Sequence, residues 1–346
     1  SSRNGYGVTF STLGAEASTS TSNVTYTLTN NAGGNLTFTG NLTIPEGSTG
    51  SRPRILRIRG TGNTVLQTSI IAGTDPGKEL QKSDAGSLTI LGVATTVVGP
   101  VTIDGGAIIA TDFRSLGTTT TSSIVLGNAG STGGNLIIGT TATPTAAGLS
   151  TLKTITLNTT SGSSSIYANQ TFASPVILGG AITKIAASTS GALILGGTST
   201  QDNIINVVIP GGGTVVGGVT KLGTGTWVLN AANTYLGATT IQGGTLKLRA
   251  TVGASDVVGS AGTNTVVFSA DTVTQTAGGT LEFKGFLSTG TTETLGALTP
   301  TTGMGNVRVV SDGALTTLTF ASMGTRVAGT GLNFTNPTSG SIVFTA

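Results

Sequence analysis

The chain has 346 residues and a net charge of +3, only 8% of its residues are charged, and it contains neither cysteine nor histidine. Without thiols or imidazoles it can form no Ser-His-Asp triad, no Cys-His pair and none of the usual zinc, iron–sulfur or haem sites. So few basic residues do not make the dense positive surface that nucleic-acid binding requires, and no apolar run approaches the ~20 residues of a spanning helix. We therefore predict no cofactor, no metal site, no nucleic-acid partner and no membrane span.

Alternating apolar and polar residues mark short strands from the N-terminal part onward. In "NLTFTGNLTI" (35–44), Leu36 and Phe38 share one face, and threonines occupy the other. Short apolar clusters of this kind recur to the end of the chain, separated by corners that contain Gly, Asn or Ser. Because no segment shows a helical stripe, the pattern predicts an all-β protein.

Four arginines lie close together in "SRPRILRIRG" (51–60), namely Arg52, Arg54, Arg57 and Arg59. Arg57 and Arg59 are expected to share one strand face, around an inward-pointing Ile58. Charge on a strand often serves only to keep it solvated and to block unwanted pairing. The alternative is a contact with an anion or a partner, either an acidic patch of a neighbouring subunit or an anionic surface polysaccharide, because a guanidinium binds carboxylates bidentately.

The closest group of acids is Asp75, Glu79 and Asp84, in the polar stretch "GTDPGKELQKSDAGS" (73–87). Its Pro and Gly residues predict a solvated loop, with a calcium or carbohydrate site as the alternative. The acids of the chain are otherwise dispersed, whereas glycoside hydrolysis needs two carboxylates in fixed positions. We predict no catalytic residue, and an enzyme acting on polysaccharides ranks third among the possible functions.

A glycine corner followed by a small polar residue, Leu and a further strand position recurs along the chain. Examples are "GGNLTF" (33–38), "GGNLII" (133–138), "GGTLKL" (243–248) and "GGTLEF" (278–283). Reuse of one unit is typical of a solenoid, in which each coil buries Leu, Ile and Val and pairs its backbone with the adjacent coils. We predict a parallel β-helix with coils of about 22 residues, and Asn230 and Asn233 as members of corner amide ladders. Tandem antiparallel sandwiches are the alternative for the N-terminal part.

The segment "VTKLGTGTWVLNAANTYLGATTIQGGTLKL" (219–248) combines a Lys-x-Gly-x-Gly start, an Asn-Thr-Tyr-x-Gly corner and a closing Gly-Gly-Thr-Leu. It resembles the autotransporter-associated β-strand repeat of bacterial surface and secreted proteins, and the resemblance extends over residues 211–346. It implies a right-handed parallel β-helix outside the cell, as in adhesins, passenger domains and surface fibres, without catalytic residues. Trp227 is expected to be a packed strand residue. We therefore divide the chain into an irregular β-rich region, 1–210, which forms the N-terminal part of the solenoid, and a β-helix of this repeat, 211–346.

Both ends of the chain carry alternating strands without a polar capping unit. Tyr6, Val8 and Phe10 share one face of "GYGVTF", and Ile342 and Phe344 share one face of "SGSIVFTA". A chain cut from a longer protein would expose such edges. Alternatively, each end pairs with the next subunit by strand addition, which produces a head-to-tail filament.

Together these observations predict an extracellular, non-enzymatic structural protein. Its β-solenoid would assemble end to end with other copies of itself into a filament or surface fibre. The alternative is an adhesin or passenger module that binds a surface or a glycan, with surface polysaccharide as its partner.

Overall fold

The chain divides into two compact units, Ser1–Ser174 and Pro175–Ala346. The computed structural model describes the backbone of residues 8–10 and 13–14 and all atoms of 23–44, 53–72, 77–117, 122–128, 133–159, 162–184, 191–211, 217–249, 257–258, 263–270, 278–286 and 290–346. Helical structure in these ranges is limited to two short 3-10 turns, Phe113–Leu116 and Ala147–Leu149. No helix in the described ranges is long and apolar enough to cross a membrane. The all-β prediction is confirmed.

Unit 1 is built from short strands separated by corners. In chain order they are β1 (Val8–Phe10), β2 (Leu13–Gly14), β3 (Val24–Thr29), β4 (Leu36–Phe38), β5 (Leu42–Thr43), β6 (Arg54–Arg59), β7 (Thr64–Leu66), β8 (Ile70–Ile71), β9 (Lys78–Lys82), β10 (Ser87–Ile90), β11 (Val101–Ile103), β12 (Ala107–Ala110), β13 (Ile124–Leu126), β14 (Asn135–Ile138), β15 (Ser150–Thr151), β16 (Ile155–Leu157) and β17 (Ser164–Ala168).

Strands from successive coils of unit 1 stack into parallel sheets. Sheet A has the order β1-β4-β7-β10-β12-β14-β17, and sheet B has the order β3-β6-β9-β11-β13-β16. A small sheet contains β2, β5 and β8. The registers are parallel throughout, as in Leu88↔Ile108 of sheet A and Val101↔Ile124 of sheet B. Sandwiches of antiparallel strands were the alternative for this region, and the parallel pairing shows that alternative to be wrong.

The core of unit 1 consists of inward rows of aliphatic side chains that stack from coil to coil. One row of sheet A is formed by residues that pair in register and are all fully buried, namely Leu88, Ile108, Leu136 and Ile166. A facing row belongs to sheet B and is equally buried, with Leu80, Val101, Ile124 and Ile155. Each coil therefore buries its apolar face against its neighbours, which is the main source of stability in such a fold.

Unit 2 repeats the same architecture. Its strands are β18 (Ile177–Leu178), β19 (Ile182–Lys184), β20 (Leu193–Gly197), β21 (Asn203–Ile205), β22 (Val219–Lys221), β23 (Thr226–Leu229), β24 (Thr239–Ile241), β25 (Gly244–Arg249), β26 (Val266–Phe268), β27 (Gly279–Lys284), β28 (Thr291–Pro300), β29 (Met304–Val310), β30 (Thr316–Met323), β31 (Gly331–Thr335) and β32 (Gly340–Phe344).

Two parallel sheets enclose the core of unit 2. Sheet C has the order β20-β22-β24-β26-β28-β30-β32, and sheet D has the order β18-β21-β23-β25-β27-β29-β31. Leu246, Leu281 and Val307 form one buried row of sheet D. Both units are thus parallel β-solenoids, as predicted, and the right-handed sense of the coils stays a prediction.

The coils vary in length. In unit 1, the paired residues Leu88 and Ile108 are 20 positions apart, and Leu136 and Ile166 are 30 apart. The extra residues lie in the corners between strands, so the register within each sheet is preserved. This variation explains why the sequence shows a recurring unit without a fixed period. The predicted boundary at residue 210 followed the reach of the recognised motif and stays a prediction.

Candidate functional site

Three residues of the predicted sites, Tyr6, Arg52 and Asp75, lie outside the described residues. Val8 and Phe10 lie in β1, whose backbone pairs in parallel with β4. Among the described residues, no three acidic side chains come together in a group that could hold a metal ion.

The arginine-rich strand β6 alternates as expected, with Arg57 and Arg59 on the outward face and Ile58 buried. Arg57 is half-buried, and its Nε donates to Gln81 Oε1 at 2.7 Å. Gln81 in turn donates to Asp104 Oδ2, so a polar ladder crosses successive coils of sheet B. Burial raises the pKa of Asp104, whereas its hydrogen bonds with Gln81 and Ser83 act in the opposite direction.

Arg59 forms an ion pair with Asp84, with 3.1 Å between Nε and Oδ2. The same carboxylate oxygen accepts from the backbone N–H of Gly60 at 3.0 Å. The hydrogen bond from Arg59, together with that from Gly60, holds the pKa of Asp84 below its usual value. Arg54 points inward, is only 2% exposed and donates to Tyr26 Oη at 3.4 Å. Of the three arginines of this cluster that the structure describes, Arg57 and Arg59 face outward, and both are bound to neighbouring side chains.

The predicted solvated loop at 73–87 is wrong for its central part, because residues 78–82 form strand β9. Glu79 lies on the outward face of this strand, where burial raises its pKa. Lys78, Leu80 and Lys82 point inward and are fully buried. The stem of a lysine is aliphatic and packs like an apolar side chain. Lys78 and Lys82 therefore occupy the inward positions of an ordinary alternating strand, although the sequence marks them as charged.

Buried lysines hold the corners that follow strands β9 and β22. Lys82 Nζ donates to the carbonyl oxygens of Ser83 and Asp84, the latter at 2.9 Å. Lys221 Nζ donates to Leu222 O at 2.8 Å and to Gly223 O and Gly243 O at 3.1 Å. Burial lowers the pKa of Lys221 to about 7 and that of Lys82 to about 8. Each ammonium takes the place of water at a corner whose carbonyls are shielded from solvent.

Asn233 connects three successive coils at another corner. Its Oδ1 accepts from the backbone N–H of Ile209 at 2.8 Å, and its Nδ2 donates to the carbonyl oxygens of Ala231 and Val257. A side-chain amide pair, as predicted, is present at Asn230, whose Nδ2 donates to Asn206 Oδ1 at 2.8 Å. The prediction is wrong for Asn233, whose hydrogen bonds go to backbone groups.

Several buried side chains of unit 2 carry polar atoms that are hydrogen-bonded within the protein. Trp227 is fully buried and donates from Nε1 to Gly196 O at 2.8 Å, so the packed role predicted for it is confirmed. Tyr235 Oη and Thr239 Oγ1 share a hydrogen bond of 2.8 Å, and burial raises the pKa of this tyrosine. Glu293 accepts from the backbone N–H groups of residues 257 and 258. These side chains are structural and are not exposed to a ligand.

The C-terminal candidates lie in strand β32, which pairs with β30. Ile342 and Phe344 are both half-buried on the same face. The ring of Phe344 stacks on Phe320 at 5.4 Å and meets the edge of Phe334 at 5.8 Å. Their role as a subunit contact stays a prediction.

The outward faces of sheets A and B in unit 1 differ sharply in charge. Sheet B carries Arg57, Arg59, Glu79 and Asp104 at or beside its strands, whereas no charged residue occurs in any strand of sheet A. One outward row of sheet A is half-buried and pairs in register; it contains Val65, Thr89, Ile109, Ile137 and Tyr167. We call this row the uncharged ladder. A face of this kind can bind through apolar contact and neutral hydrogen bonds only.

The parallel coils, the interior lysines and the glycine corners define a parallel β-helix with a recurring corner unit. The family described as passenger-associated-transport-repeat matches the chain at residues 80–110 and at residues 219–248. The chain therefore contains two copies of this repeat, and the predicted resemblance is confirmed.

A relative in the comparison is the adhesin BmaC autotransporter of Brucella suis biovar 1 (strain 1330), which is 30% identical over 197 residues. The match covers 56% of this chain, and it spans 5% of the length of that relative. No solved structure matches the chain.

Sequence reasoning found the second copy of the repeat and missed the first. In the first copy Thr95 stands where the second has Asn233, and Asp84 stands where the second has Gly223. The structure shows why Thr95 can replace the asparagine at this corner. Thr95 Oγ1 accepts from the backbone N–H of Ile70 at 3.2 Å, just as Asn233 Oδ1 accepts from that of Ile209. The signals that could have revealed this copy are Lys82, two residues before the left-handed corner, and the closing pair of glycines.

The closing glycines are required by the backbone. Gly106 and Gly244 have φ angles of 64° and 60°, in the left-handed region. A Cβ atom at Gly106 would lie 2.1 Å from Gly86 O, and one at Gly244 would lie 2.3 Å from Gly225 O. Adjacent coils approach too closely here for any side chain, so glycine is needed for both conformation and packing.

Proposed function

We propose that this chain is part of the extracellular passenger of a bacterial surface protein and acts as a non-enzymatic adhesin module. The observation that carries the proposal is the pair of matching repeat copies, with the same interior lysine and corner contacts, in a chain similar to an autotransporter adhesin. Tightly stacked coils with few charged corners suit a protein that works outside the cell.

Display on a non-adherent bacterium tests this function. The 346-residue chain is joined to a surface carrier, and cells are counted after they settle on cultured host cells and on polysaccharide-coated glass. The carrier alone is the control. We expect attachment only with the chain present. Equal attachment of both strains, with the chain shown on the surface by antibody, would contradict an adhesin role.

End-to-end assembly into a filament is the second candidate. Its support is the C-terminal coil, where the half-buried Ile342 and Phe344 lie on strand β32. Electron microscopy of undenatured material tests it, and the expectation is filaments whose axial repeat equals one subunit. Single particles at nanomolar and micromolar concentrations alike would exclude assembly.

A further inference from the structure

The uncharged ladder is not a requirement of the repeat. In the two copies, Ile109 and Lys247 occupy the same position, three residues after the left-handed glycines Gly106 and Gly244. In unit 2 the row through this position is charged, because Lys247 pairs in register with Glu282, and Glu282 with Arg308. This position of unit 2 lies in sheet D, so the repeat accepts charge at a position that is uncharged in the ladder of unit 1.

The dimensions of the ladder favour a slender partner. Its residues follow the spacing between hydrogen-bonded strands, so Val65 and Tyr167, four spacings apart, are separated by about 19 Å along the stack. The apolar strip is one residue wide, whereas a stable contact with a folded protein covers about 800 Å² on each partner. A second copy of the chain would need a much broader apolar face. A single polymer chain lying across successive coils fits the strip.

The chemistry of the ladder and its borders matches sugar rings. Tyr167 offers an aromatic ring, and Ile109 and Ile137 offer aliphatic surface, for contact with the C–H faces of the sugar rings. The hydroxyl of Thr89 lies in the row and can exchange hydrogen bonds with sugar hydroxyls. Beside the row, Ser87 Oγ donates to Asn63 and Asn135 Nδ2 donates to Gly106 O, so these two side chains offer a sugar mainly their oxygen atoms as acceptors. A charged polymer would bring anionic groups against a sheet that has no cation in its strands to pair with them, which is costly.

We propose that the uncharged ladder of unit 1 binds a chain of an uncharged polysaccharide laid across successive coils. The proposal rests on the adhesin function and names the ligand class and the face that binds it. It also separates this face from the arginines of sheet B, whose outward members are engaged with Gln81 and Asp84.

Binding of the full chain to immobilised polysaccharides tests the proposal. The probes are a neutral β-glucan, a neutral mannan and the anionic polymer hyaluronan. The variants are Tyr167→Ala and Ile109→Lys, the second of which copies the residue that the other repeat copy tolerates. The matched control is Lys247→Thr in unit 2, and circular dichroism checks folding. We expect at least one neutral polymer to bind, with about tenfold weaker binding in each ladder variant and unchanged binding in the control.

Four results would overturn the proposal. In the first, both ladder variants bind neutral polymers as the wild type does. In the second, only hyaluronan binds, and Arg57→Ser with Arg59→Ser removes that binding. In the third, the ladder variants abolish a dimer detected by sedimentation, which identifies the face as a contact between copies. In the fourth, no probe binds although displayed chain still attaches cells. The adhesin function itself fails only if displayed chain mediates no attachment.

Discussion

Lys82 and Lys221 make the same contacts in the two copies of the repeat: each buried ammonium donates to the carbonyl oxygens of the two residues that follow it. Lys221 also reaches Gly243 O, at the closing glycine pair of its own repeat, which belongs to the next coil. The motif lysine is therefore buried in both copies, and Lys221 in addition clamps its coil to the next one. These internal contacts explain why both copies have a lysine at this position, and no role in binding is needed to explain it.

Replacing this clamp is expected to destabilise unit 2. Lys221→Met keeps most of the aliphatic stem but leaves three carbonyl oxygens without their donor, and we expect a loss of about 3 kcal/mol in the free energy of unfolding. Urea titration followed by the fluorescence of Trp227, the one tryptophan of the chain, measures it. Lys247→Met is the control, because Lys247 is partly exposed and its ion pairs are worth little. Equal midpoints for the two variants would contradict the clamp.

The same lysine predicts how stability varies with pH. Burial lowers the pKa of Lys221 to about 7, and in the unfolded chain the lysine has its ordinary pKa of about 10.4. Between these values the unfolded chain binds more protons, so stability rises as the pH increases from about 7 to about 10. Below pH 7 the lysine is protonated in both the folded and the unfolded chain, so the full cost of burying its charge lowers the free energy of unfolding.

The pH effect is measured from urea midpoints at about pH 6 and pH 9. Burial lowers the pKa of Lys82 and Lys153 to about 8, so both act in the same direction as Lys221. We expect a higher midpoint at pH 9 for the wild type, and a smaller rise for Lys221→Met. A midpoint that falls with pH would contradict the prediction. An identical rise in the variant would show that burial does not lower the pKa of Lys221.

The corner amide Asn233 provides a third prediction. Asn233→Ala removes the acceptor of the Ile209 N–H and the donor to two carbonyl oxygens, all in a buried corner. We expect a loss of about 2–3 kcal/mol. Asn233→Thr copies Thr95 of the first repeat copy, which keeps the acceptor, and it should recover about a third to a half of that loss. Thermal unfolding by circular dichroism compares the two, and a threonine variant no better than alanine would contradict the proposed equivalence.

The left-handed corner at Asp84 provides a fourth prediction, which concerns backbone strain. Asp84 has a φ of 62°, and Gly223 has a φ of 70° at the same position of the second copy. Asp84→Ala loses the acceptor for Gly60 and keeps the strain, whereas Asp84→Gly loses the acceptor and relieves the strain. We expect the glycine variant to be more stable than the alanine variant by about 1 kcal/mol. Thermal unfolding ranks them, and the reverse order would show that Asp84 is not strained.

The sequence was sufficient for the fold class because period-2 alternation and glycine corners have direct physical causes. It was misleading where a charged letter occupies an inward position, as at Lys78 and Lys82, since the alternation rule treats lysine as polar although its stem packs in a core. It also could not reveal that Ile109 and Ile137 lie in one row, because the coils differ in length and only the strand register aligns them. Sites built across coils are therefore visible only once the register is known.

The register between coils has a further consequence for how such proteins change over generations. Each strand pairs only with the coils before and after it, so a gene segment that encodes one coil can be copied or deleted with effects confined to the new junction. The corners absorb differences in length, as the step of 20 residues beside one of 30 shows. The number of coils in such a protein can therefore change while the coils that remain keep their packing.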